Sequence, residues 1–426
     1  MKEELLHFIW KYKKLPLEGL LSASQETIQV IQTGRHNHLS GPDFFNAKLK
    51  IGGQLWAGNV EIHLKASDWY AHHHEKDAKY DNVILHVVWE NDVSVFRKDN
   101  SEIPVLELKN YISTELLNRY QELFNRKNQQ FIPCENEIKD IQEFTLKHWF
   151  ERLFFERLEQ KSNVILGLLE TSKNDWEKVL FILLLKNFGS KINGELFFEM
   201  GKSLDFSIVR KLHGKPLQME ALFMGLSGLL ISENSTDSYY TALKKEYKFL
   251  KKKFVLREIP SGPPEFFKLR PLNFPTIRLA QLAALYSGAN NLFNLVVNAE
   301  SEELKTIFSI HPNTYWEEHY TFGTVSKKSK KGLSKNFVDL LMINTVIPLR
   351  FCYQKYKGIF DEDIILSTIE AIPKENNSIV KRYEGLGISV RTAKESQSLL
   401  QLYNNYCTQN KCLDCTVGAR LLNLKS

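Results

Sequence analysis

The sequence of 426 residues lacks any long apolar run. A membrane-spanning helix needs about 20 consecutive apolar residues, and the longest candidate, Val179–Leu185, is far shorter. The first residues, MKEELLHFIWKYKKL, place acids before the apolar positions and lysines after Trp10, which is unlike a secretory signal. These absences predict a cytoplasmic protein without a membrane partner.

The sequence also contains few cysteines and carries little net charge. The five cysteines are an odd number, which argues against a framework of disulfide bonds. The formal charge of +6 is small for this length, so the composition permits binding to nucleic acid without indicating it. The content of 43% hydrophobic and 12% aromatic residues is that of a folded globular protein. The length favours two or three domains, and none of these numbers fixes the oligomeric state.

The residue pattern divides the chain into two parts. Residues 1–130 mix short strands with helices and predict an α/β domain, with a mixed sheet and flanking helices. Residues 138–426 have helical spacing and predict a mostly α-helical domain of one or two lobes that ends in a cysteine cluster. The polar stretch at 126–130 marks the expected boundary.

A hairpin is the clearest local prediction in the first part. Asp43–Ile51 and Gln54–Lys65 predict two strands, and the intervening Gly52-Gly53 suits a tight turn between them. Val83–Trp89 is rich in β-branched residues and predicts a buried strand, and Val93–Arg97 is a further candidate strand.

Acidic and basic side chains alternate with apolar ones along Val60–Lys65. Glu61, His63 and Lys65 share one strand face, and the hairpin brings Asp43 towards Glu61. Two carboxylates can hold Mg²⁺ or Mn²⁺, while a neighbouring lysine or histidine supports water attack on a phosphodiester. The alternative is that these side chains line a solvated sheet face.

A run of histidines follows the second hairpin strand. His72, His74 and Asp77 carry the ligand types of a transition-metal site. A triple histidine is equally compatible with a solvated turn, and His86 among apolar neighbours with a hydrogen-bonded core residue.

Three cysteines cluster near the C-terminus with the spacing Cys407-x4-Cys412-x2-Cys415. Together with Cys134 they offer four thiolates, the number that a zinc ion or an iron–sulfur cluster needs. The alternative is a set of free, partly buried thiols. Cys352 lies in an apolar helical run and predicts a core position.

The helical part carries basic features as well. Lys244–Lys253 and Ser326–Lys335 are its densest positive stretches, and either could meet nucleic-acid phosphates or be a solvated surface. In Leu269–Leu285, Arg270 and Arg278 flank an Asn-Phe-Pro turn that leads into a helix. This arrangement suits either an anion site at the helix N-terminus or an arginine that pins a loop.

At Pro42-Asp43 and Glu61-Ile62-His63 the sequence resembles the PD-(D/E)xK nuclease superfamily. The resemblance implies a restriction-endonuclease-like fold and assigns metal binding to Asp43 and Glu61, with an acid of the preceding helix, Glu4, as a further contributor. Histidine stands at position 63 where the motif has lysine, and Lys65 is the nearest substitute. The four cysteines resemble the iron–sulfur clasp of the CRISPR-associated and AddB-like nucleases, with different C-terminal spacing.

Longer blocks, including GPDFFNAKLKIGG, WAGNVEIHLKASDW and RPLNFPTIRLAQLA, resemble a bacterial family known as domain of unknown function 2851. That resemblance covers nearly the whole chain and implies no activity. The leading hypothesis is a metal-dependent nuclease that acts on DNA or RNA. The alternatives are a non-catalytic nucleic-acid-binding or scaffold protein on a degenerate nuclease fold, and a hydrolase that uses a transition metal at His72, His74 and Asp77.

Overall fold

The computed structural model describes residues 2–16, 18–37, 39–124, 131–232, 235–257 and 262–423. The chain forms two compact units. The first comprises Met1–Trp149, Arg382–Ile388 and Leu402–Ser426, and the second comprises Phe150–Lys381 and Ser389–Gln401. Within the described ranges, no helix combines the length and the apolar character that crossing a membrane requires. The polar stretch at 126–130, which the sequence suggested as a boundary, lies outside the described residues.

The first unit is built on a mixed sheet of seven strands. These are β1 (Leu20–Leu21), β2 (Thr27–Gln32), β3 (Arg35–His36), β4 (Phe44–Ile51), β5 (Gln54–Lys65), β6 (Val83–Glu90) and β7 (Val105–Glu107). Their order is β1-β2-β4-β5-β6-β7, and β3 pairs with β4 beyond the end of β2. The pairs up to β4–β5 are antiparallel, whereas β5–β6 and β6–β7 are parallel. A short two-stranded sheet, β8 (His319–Thr321) with β9 (Thr324–Val325), lies in the second unit.

The β4–β5 hairpin turns at Gly52 and Gly53, as the sequence predicts. Ile51 pairs with Gln54, and both glycines have positive φ angles, +57° and +88°. A two-residue turn of this kind favours glycine because side chains strain the left-handed backbone region.

A bulge at Asn46 interrupts β4. Phe44 pairs with Val60 but Ala47 pairs with Gly58, so β4 carries one extra residue at this point. Asn46 takes a left-handed φ of +58°, and its backbone N–H donates to the side chain of Asn59 at 3.3 Å. The bulge sets the face on which every residue before it lies, including Asp43.

Helices account for most of the rest of the chain. They are α1 (Glu3–Lys11), α2 (Asp68–Ala71), α3 (Thr114–Phe124), α4 (Glu143–Thr171), α5 (Trp176–Phe188), α6 (Ser190–Ser203), α7 (Phe206–Lys211), α8 (Pro216–Leu226), α9 (Ser238–Phe254), α10 (Pro275–Gly288), α11 (Leu292–Asn298), α12 (Ser301–Ile307), α13 (Lys335–Leu341), α14 (Ile347–Lys357), α15 (Glu362–Glu370), α16 (Ser378–Gly385), α17 (Ala393–Leu402) and α18 (Thr416–Asn423). π-helical turns cover Met342–Val346 and Tyr403–Cys407. The mixed sheet near the N-terminus and the mostly helical remainder confirm the coarse fold prediction.

The helices of the second unit enclose a large apolar core. Helix α5 buries the continuous run Val179–Leu185, and α8 and α10 are buried along most of their length. Such all-round burial is typical of helices in the middle of a large core. One carboxylic acid lies inside it: Glu220 of α8 is 3% exposed, and its Oε1 accepts the indole N–H of Trp316 at 2.7 Å.

One local prediction in the first unit is wrong. Val93–Arg97 forms no strand; its described backbone makes an isolated bridge at Phe96 with Glu102. The residues instead belong to a loop that bends back at Asn100, whose φ is +62°. A pattern of five residues with β-branched side chains is too short to specify a strand when the following turn favours a loop.

Candidate functional site

Asp43 and Glu61 face each other across the β4–β5 hairpin. The backbone N–H of Asp43 donates to Glu61 Oε2 at 3.1 Å, and the backbone N–H of Ile62 donates to Asp43 Oδ2 at 3.0 Å. These reciprocal bonds fix both carboxyl groups, so the hairpin itself positions the predicted acid pair.

Helix α1 adds two further ligand types beside Asp43. Glu3 and His7 are four residues apart and therefore share one face of the helix. Their ligand atoms and a carboxylate oxygen of Asp43 all lie within 4.8 Å of one another. His7 Nε2 is 3.2 Å from Asp43 Oδ2 and 3.8 Å from Glu3 Oε1. We call Glu3, His7 and Asp43 the carboxylate group.

Three histidines form a second group next to the first. His63 of β5 meets His72 and His74, which follow α2, and their ring nitrogens lie within 4.8 Å of one another. His63 Nε2 is 3.1 Å from His72 Nδ1, and the His63 and His74 rings stack at 5.3 Å. Between them, His73 takes a left-handed φ of +59° and is exposed, so its two neighbours point to the same place. We call His63, His72 and His74 the histidine group.

Glu61 lies between the two groups. Its Oε1 is 3.5 Å from His63 Nε2 and 3.3 Å from His74 Nε2, while its Oε2 accepts the backbone N–H of Asp43. Glu61 is only 4% exposed. A single buried carboxylate thus contacts the histidine group on one oxygen and the carboxylate group's strand on the other.

The carboxyl groups of the site have too few positive charges around them to balance their negative charge. Burial, with the nearby Asp43 carboxylate, raises the pKa of Glu61 to about 9, and burial raises the pKa of Glu3 to about 7. Burial alone would lower the pKa of His7, but the hydrogen bond and charge of Asp43 and the charge of Glu3 raise it overall. The carboxylate group therefore favours any additional cation.

His63, His74 and His86, in contrast, are held neutral. Burial, followed by the neighbouring imidazoles, lowers the pKa of His63 to about 2, and burial lowers the pKa values of His86 and His74, that of His86 to about 3. A metal binds the neutral form of imidazole. His63 and His74 are therefore in the protonation state that a metal ligand needs.

His86 of β6 orients His63 from behind. Its Nε2 lies 2.8 Å from His63 Nδ1, and its ring is fully buried. When His63 Nδ1–H donates to His86, the lone pair of His63 Nε2 is left facing His72 and Glu61. A partner on the far ring nitrogen is the usual support of a metal-binding histidine. His86 is thus a hydrogen-bonded core residue, which is one of the two interpretations that the sequence allows. It contacts the histidine group through His63.

Two predicted site residues lie elsewhere. Lys65 is exposed at the end of β5, where its backbone N–H donates to Asp68 at 3.0 Å and its charge acts on Asp92. Asp77 is exposed and caps the short turn Ala78–Tyr80 by accepting the backbone N–H of Lys79. Neither belongs to the two ligand groups described above.

Sequence reasoning missed Glu3 and His7, because it singled out Glu4 as the acid of the first helix. Glu4 is exposed, whereas Glu3 lies in the carboxylate group. The sequence pattern that could have identified them is an acid and a histidine at positions i and i+4, on the same side of an amphipathic helix.

The alternative that Glu61 and His63 line a solvated sheet face is wrong, since these residues are 4% and 1% exposed.

The four cysteines come together in the first unit. Cys134, Cys412 and Cys415 are each 6% exposed, and Cys407 is half-buried. Their thiols are near enough to influence one another electrostatically, and burial raises the pKa of all four, that of Cys407 to about 12. Cys352 lies in the core of the second unit, as predicted.

Polar groups lie beside two of these sulfurs. The backbone N–H groups of Val417 and Gly418 lower the pKa of the Cys415 thiol, against the larger effect of burial. The hydroxyl of Tyr383 lies 3.4 Å from the Cys407 sulfur. A Cβ at Gly418 would collide with the carbonyl of Cys412, so glycine is required where the 412–415 turn folds against α18.

A family model described as "Protein of unknown function (DUF2851)" matches residues 3–378. The matched range includes every member of the carboxylate and histidine groups. Neither the curated proteins nor the solved structures give a significant match to the chain. Because the family match covers most of the 426 residues, the chain belongs to the DUF2851 family.

Proposed function

We propose that this protein is a metal-dependent hydrolase that cleaves phosphodiester bonds in nucleic acid. The observation that carries the proposal is the adjacency of the carboxylate group and the histidine group, with Glu61 between them. Adjoining metal ligands that share a carboxylate are typical of hydrolases that use two cations on a phosphate ester.

The residues fit divalent cations on three counts. The carboxylate group crowds acids whose pKa values are raised, and a cation would relieve their repulsion. Burial keeps His63 and His74 neutral, as metal ligands must be. The buried Nε2 of His74 makes no hydrogen bond within the described part of the chain, although Glu61 Oε1 is 3.3 Å away. A buried nitrogen in that position is costly unless something else occupies its lone pair.

The two groups suit different metals. Oxygen ligands with one imidazole favour Mg²⁺ or Mn²⁺, with Mn²⁺ preferred once His7 contributes. Three imidazoles favour a transition metal such as Zn²⁺, Mn²⁺ or Fe²⁺. When bound, the cations would supply an activated water and neutralise charge on the phosphate. The protein's part is to fix the ligands: Asp43 and Glu61 through the hairpin, and His63 through His86.

The substrate class follows from the resemblance to PD-(D/E)xK nucleases together with the mixed sheet that carries Asp43 and Glu61. His63 stands where the motif has lysine, and as a buried neutral ring it cannot supply lysine's charge. Lys65 is exposed at the strand end. A cation in the histidine group would take over that positive charge, which explains how a nuclease site could dispense with the motif lysine.

The test is cleavage of labelled single- and double-stranded DNA and RNA with Mg²⁺, Mn²⁺ or Zn²⁺. We expect cleavage by the wild type and a loss of at least a hundredfold in Asp43→Asn and in Glu61→Gln, because each change removes a ligand charge. Asp81→Asn, an exposed acid in the same unit, is the matched control and should cleave as the wild type does.

Two results would contradict the proposal. Cleavage that survives in Asp43→Asn at the wild-type rate would place the activity elsewhere. Metal-independent binding of nucleic acid that weakens steeply with salt, with no cleavage by the wild type, would favour the non-catalytic alternative.

We also propose that Cys134, Cys407, Cys412 and Cys415 hold a metal centre in the first unit. The observation that supports this is that four buried thiols lie close enough to act electrostatically on one another, as four ligands of one metal centre must. Four thiolates are the ligand set of either a zinc ion or an iron–sulfur cluster, and metal analysis of the purified protein would distinguish the two.

A further inference from the structure

The second unit contains a pocket of about 530 Å³ at the start of helix α10. That volume is in the range of small-molecule sites. Its walls combine apolar and aromatic side chains with two arginines, Arg270 and Arg278, and no aspartate or glutamate is among the described residues that line it. Neither the carboxylate group nor the histidine group lies in this unit, and the function proposed above assigns no part to the residues of the pocket.

Arg278 is the unusual residue of this pocket. It is 6% exposed, and its guanidinium carbon lies over the Phe337 ring, 3.5 Å from the ring centre. Nη1 donates to Gln281 at 2.9 Å and Nη2 to Asn273 at 2.6 Å. Nε makes no hydrogen bond to any described residue. Both partners are neutral amides, so no described contact balances the charge.

A buried cation without a counter-charge is expensive. Burial lowers the pKa of Arg278 to about 10, with no charged neighbour offsetting it, and the side chain is therefore still charged at neutral pH. A second buried cation lies nearby: the ammonium of Lys331, 2% exposed, is 4.0 Å from the ring centre of Tyr320, which lines the pocket. That ammonium donates to neutral oxygens of Glu317 and Ser329. The pocket is thus positive and holds no acid of its own.

Arg350 shows what a structural arginine looks like in the same unit. It is 4% exposed, and its guanidinium donates to the main-chain carbonyls of Val296 and Ala299 at the end of α11. The C-terminal end of a helix carries partial negative charge, so those carbonyls compensate the cation. Arg278 lies near the opposite kind of helix end: α10 begins at Pro275, and no side chain caps its first turn. That end attracts anions.

We propose that Arg278 binds the phosphate group of a small organic phosphate in this pocket. Guanidinium N–H groups match phosphate oxygens in geometry and charge. Arg270, exposed at the rim, would supply a second cation, while Tyr320 and Phe337 offer aromatic surface to the organic part. The pocket volume fits a molecule of nucleoside monophosphate size better than it fits inorganic phosphate alone.

The test is calorimetric titration of the full-length protein with inorganic phosphate, a nucleoside 5′-monophosphate and the corresponding nucleoside. A chelator and the Asp43→Asn background remove binding at the proposed metal site. We expect the monophosphate to bind more tightly than inorganic phosphate and the nucleoside not to bind. Arg278→Met should abolish binding, and Arg278→Lys should weaken it roughly tenfold to a hundredfold, because lysine keeps the charge but loses the planar fork.

Arg350→Met is the matched control, since it removes an equally buried arginine outside the pocket. It should lower stability and leave phosphate affinity unchanged. If Arg278→Met does not fold, the exposed Arg270→Gln should still weaken binding several-fold. Absence of binding by both phosphate probes to the wild-type pocket overturns the proposal, as does unchanged affinity in Arg278→Lys. Equal binding of the nucleoside and the monophosphate would show that phosphate is not the recognised group.

Discussion

Replacing Glu220 by glutamine should stabilise the protein at alkaline pH and have little effect in acid. Burial raises the pKa of Glu220 from its ordinary 4.5 to about 7, against the opposing effect of the bond from Trp316. The folded state therefore holds the carboxyl proton more tightly than the unfolded state does. The stability that this proton brings is complete below pH 4.5 and is lost as the pH rises through about 7.

The magnitude follows from the two pKa values. One pKa unit corresponds to about 1.4 kcal/mol, so a rise from 4.5 to about 7 makes ionised Glu220 cost about 3 kcal/mol above pH 7. Glutamine has nearly the same shape and keeps an oxygen to accept the indole N–H of Trp316, which now lies 2.7 Å from Oε1. Glu220→Gln should raise the free energy of unfolding by about 3 kcal/mol near pH 8 and by less than about 1 kcal/mol near pH 4.5.

Urea unfolding followed by circular dichroism, at those two pH values, measures the difference between variant and wild type. Glu199→Gln changes an exposed glutamate in the same unit, so its effect should be small and independent of pH. A Glu220→Gln effect that is equal at both pH values would show that the carboxyl does not titrate with burial, and the reasoning would be refuted.

Three further outcomes are expected. Cys415→Ser should abolish iron, acid-labile sulfide and absorbance near ~400 nm in anaerobically purified protein, whereas Cys352→Ser should retain them. Stoichiometric zinc in the wild type would support a metal site at the cysteines and rule out the iron–sulfur cluster. Wild-type protein that contains neither iron nor zinc would rule out a metal site there. His74→Ala should lose at least tenfold in transition-metal affinity, measured by competition with a chromophoric chelator, while Lys65→Ala keeps it; equal affinity in both variants would contradict the histidine group. Gly58→Ala should lower thermal stability, because its Cβ would lie 2.7 Å from the main-chain oxygen of Asn82 and strand β5 would have to move; an unchanged melting temperature would show that the sheet absorbs the methyl group.

The sequence was sufficient for the pairing of Asp43 with Glu61, because local signals specify it. Two glycines fix the turn, and the alternation of apolar and polar residues along β5 identifies the strand. The parallel strand β6 was also predictable from its β-branched composition. That both faces of β5 are buried could not be predicted from the sequence. Burial of the polar face depends on α1 and α2, which pack against β5.

The histidine group was out of reach for a different reason. Sequence reasoning placed His63 with the acids and grouped His72 and His74 with Asp77, as two separate sites. They join because the chain bends back after α2 at His73, whose left-handed conformation leaves no periodic signal. The meeting of Cys134 with three cysteines nearly 300 positions later likewise depends on the C-terminal segment returning to the first unit.

The bulge at Asn46 makes the length of β4 as important to the site as any ligand. Ala47, Leu49 and Ile51 are buried on one face, and Phe44, at an even position, joins them only because of the extra residue. If β4 paired regularly over the same number of residues, Asp43 would fall on the face of Ala47 and point into the apolar layer, away from Glu61. Deletion of one residue between Ala47 and Ile51, which removes no ligand, would therefore turn Asp43 away from Glu61, whereas deletion of the bulged Asn46 would leave Asp43 on its present face. The number of residues between Asp43 and Glu61 is thus as informative as the identity of the two acids when relatives of this chain are compared.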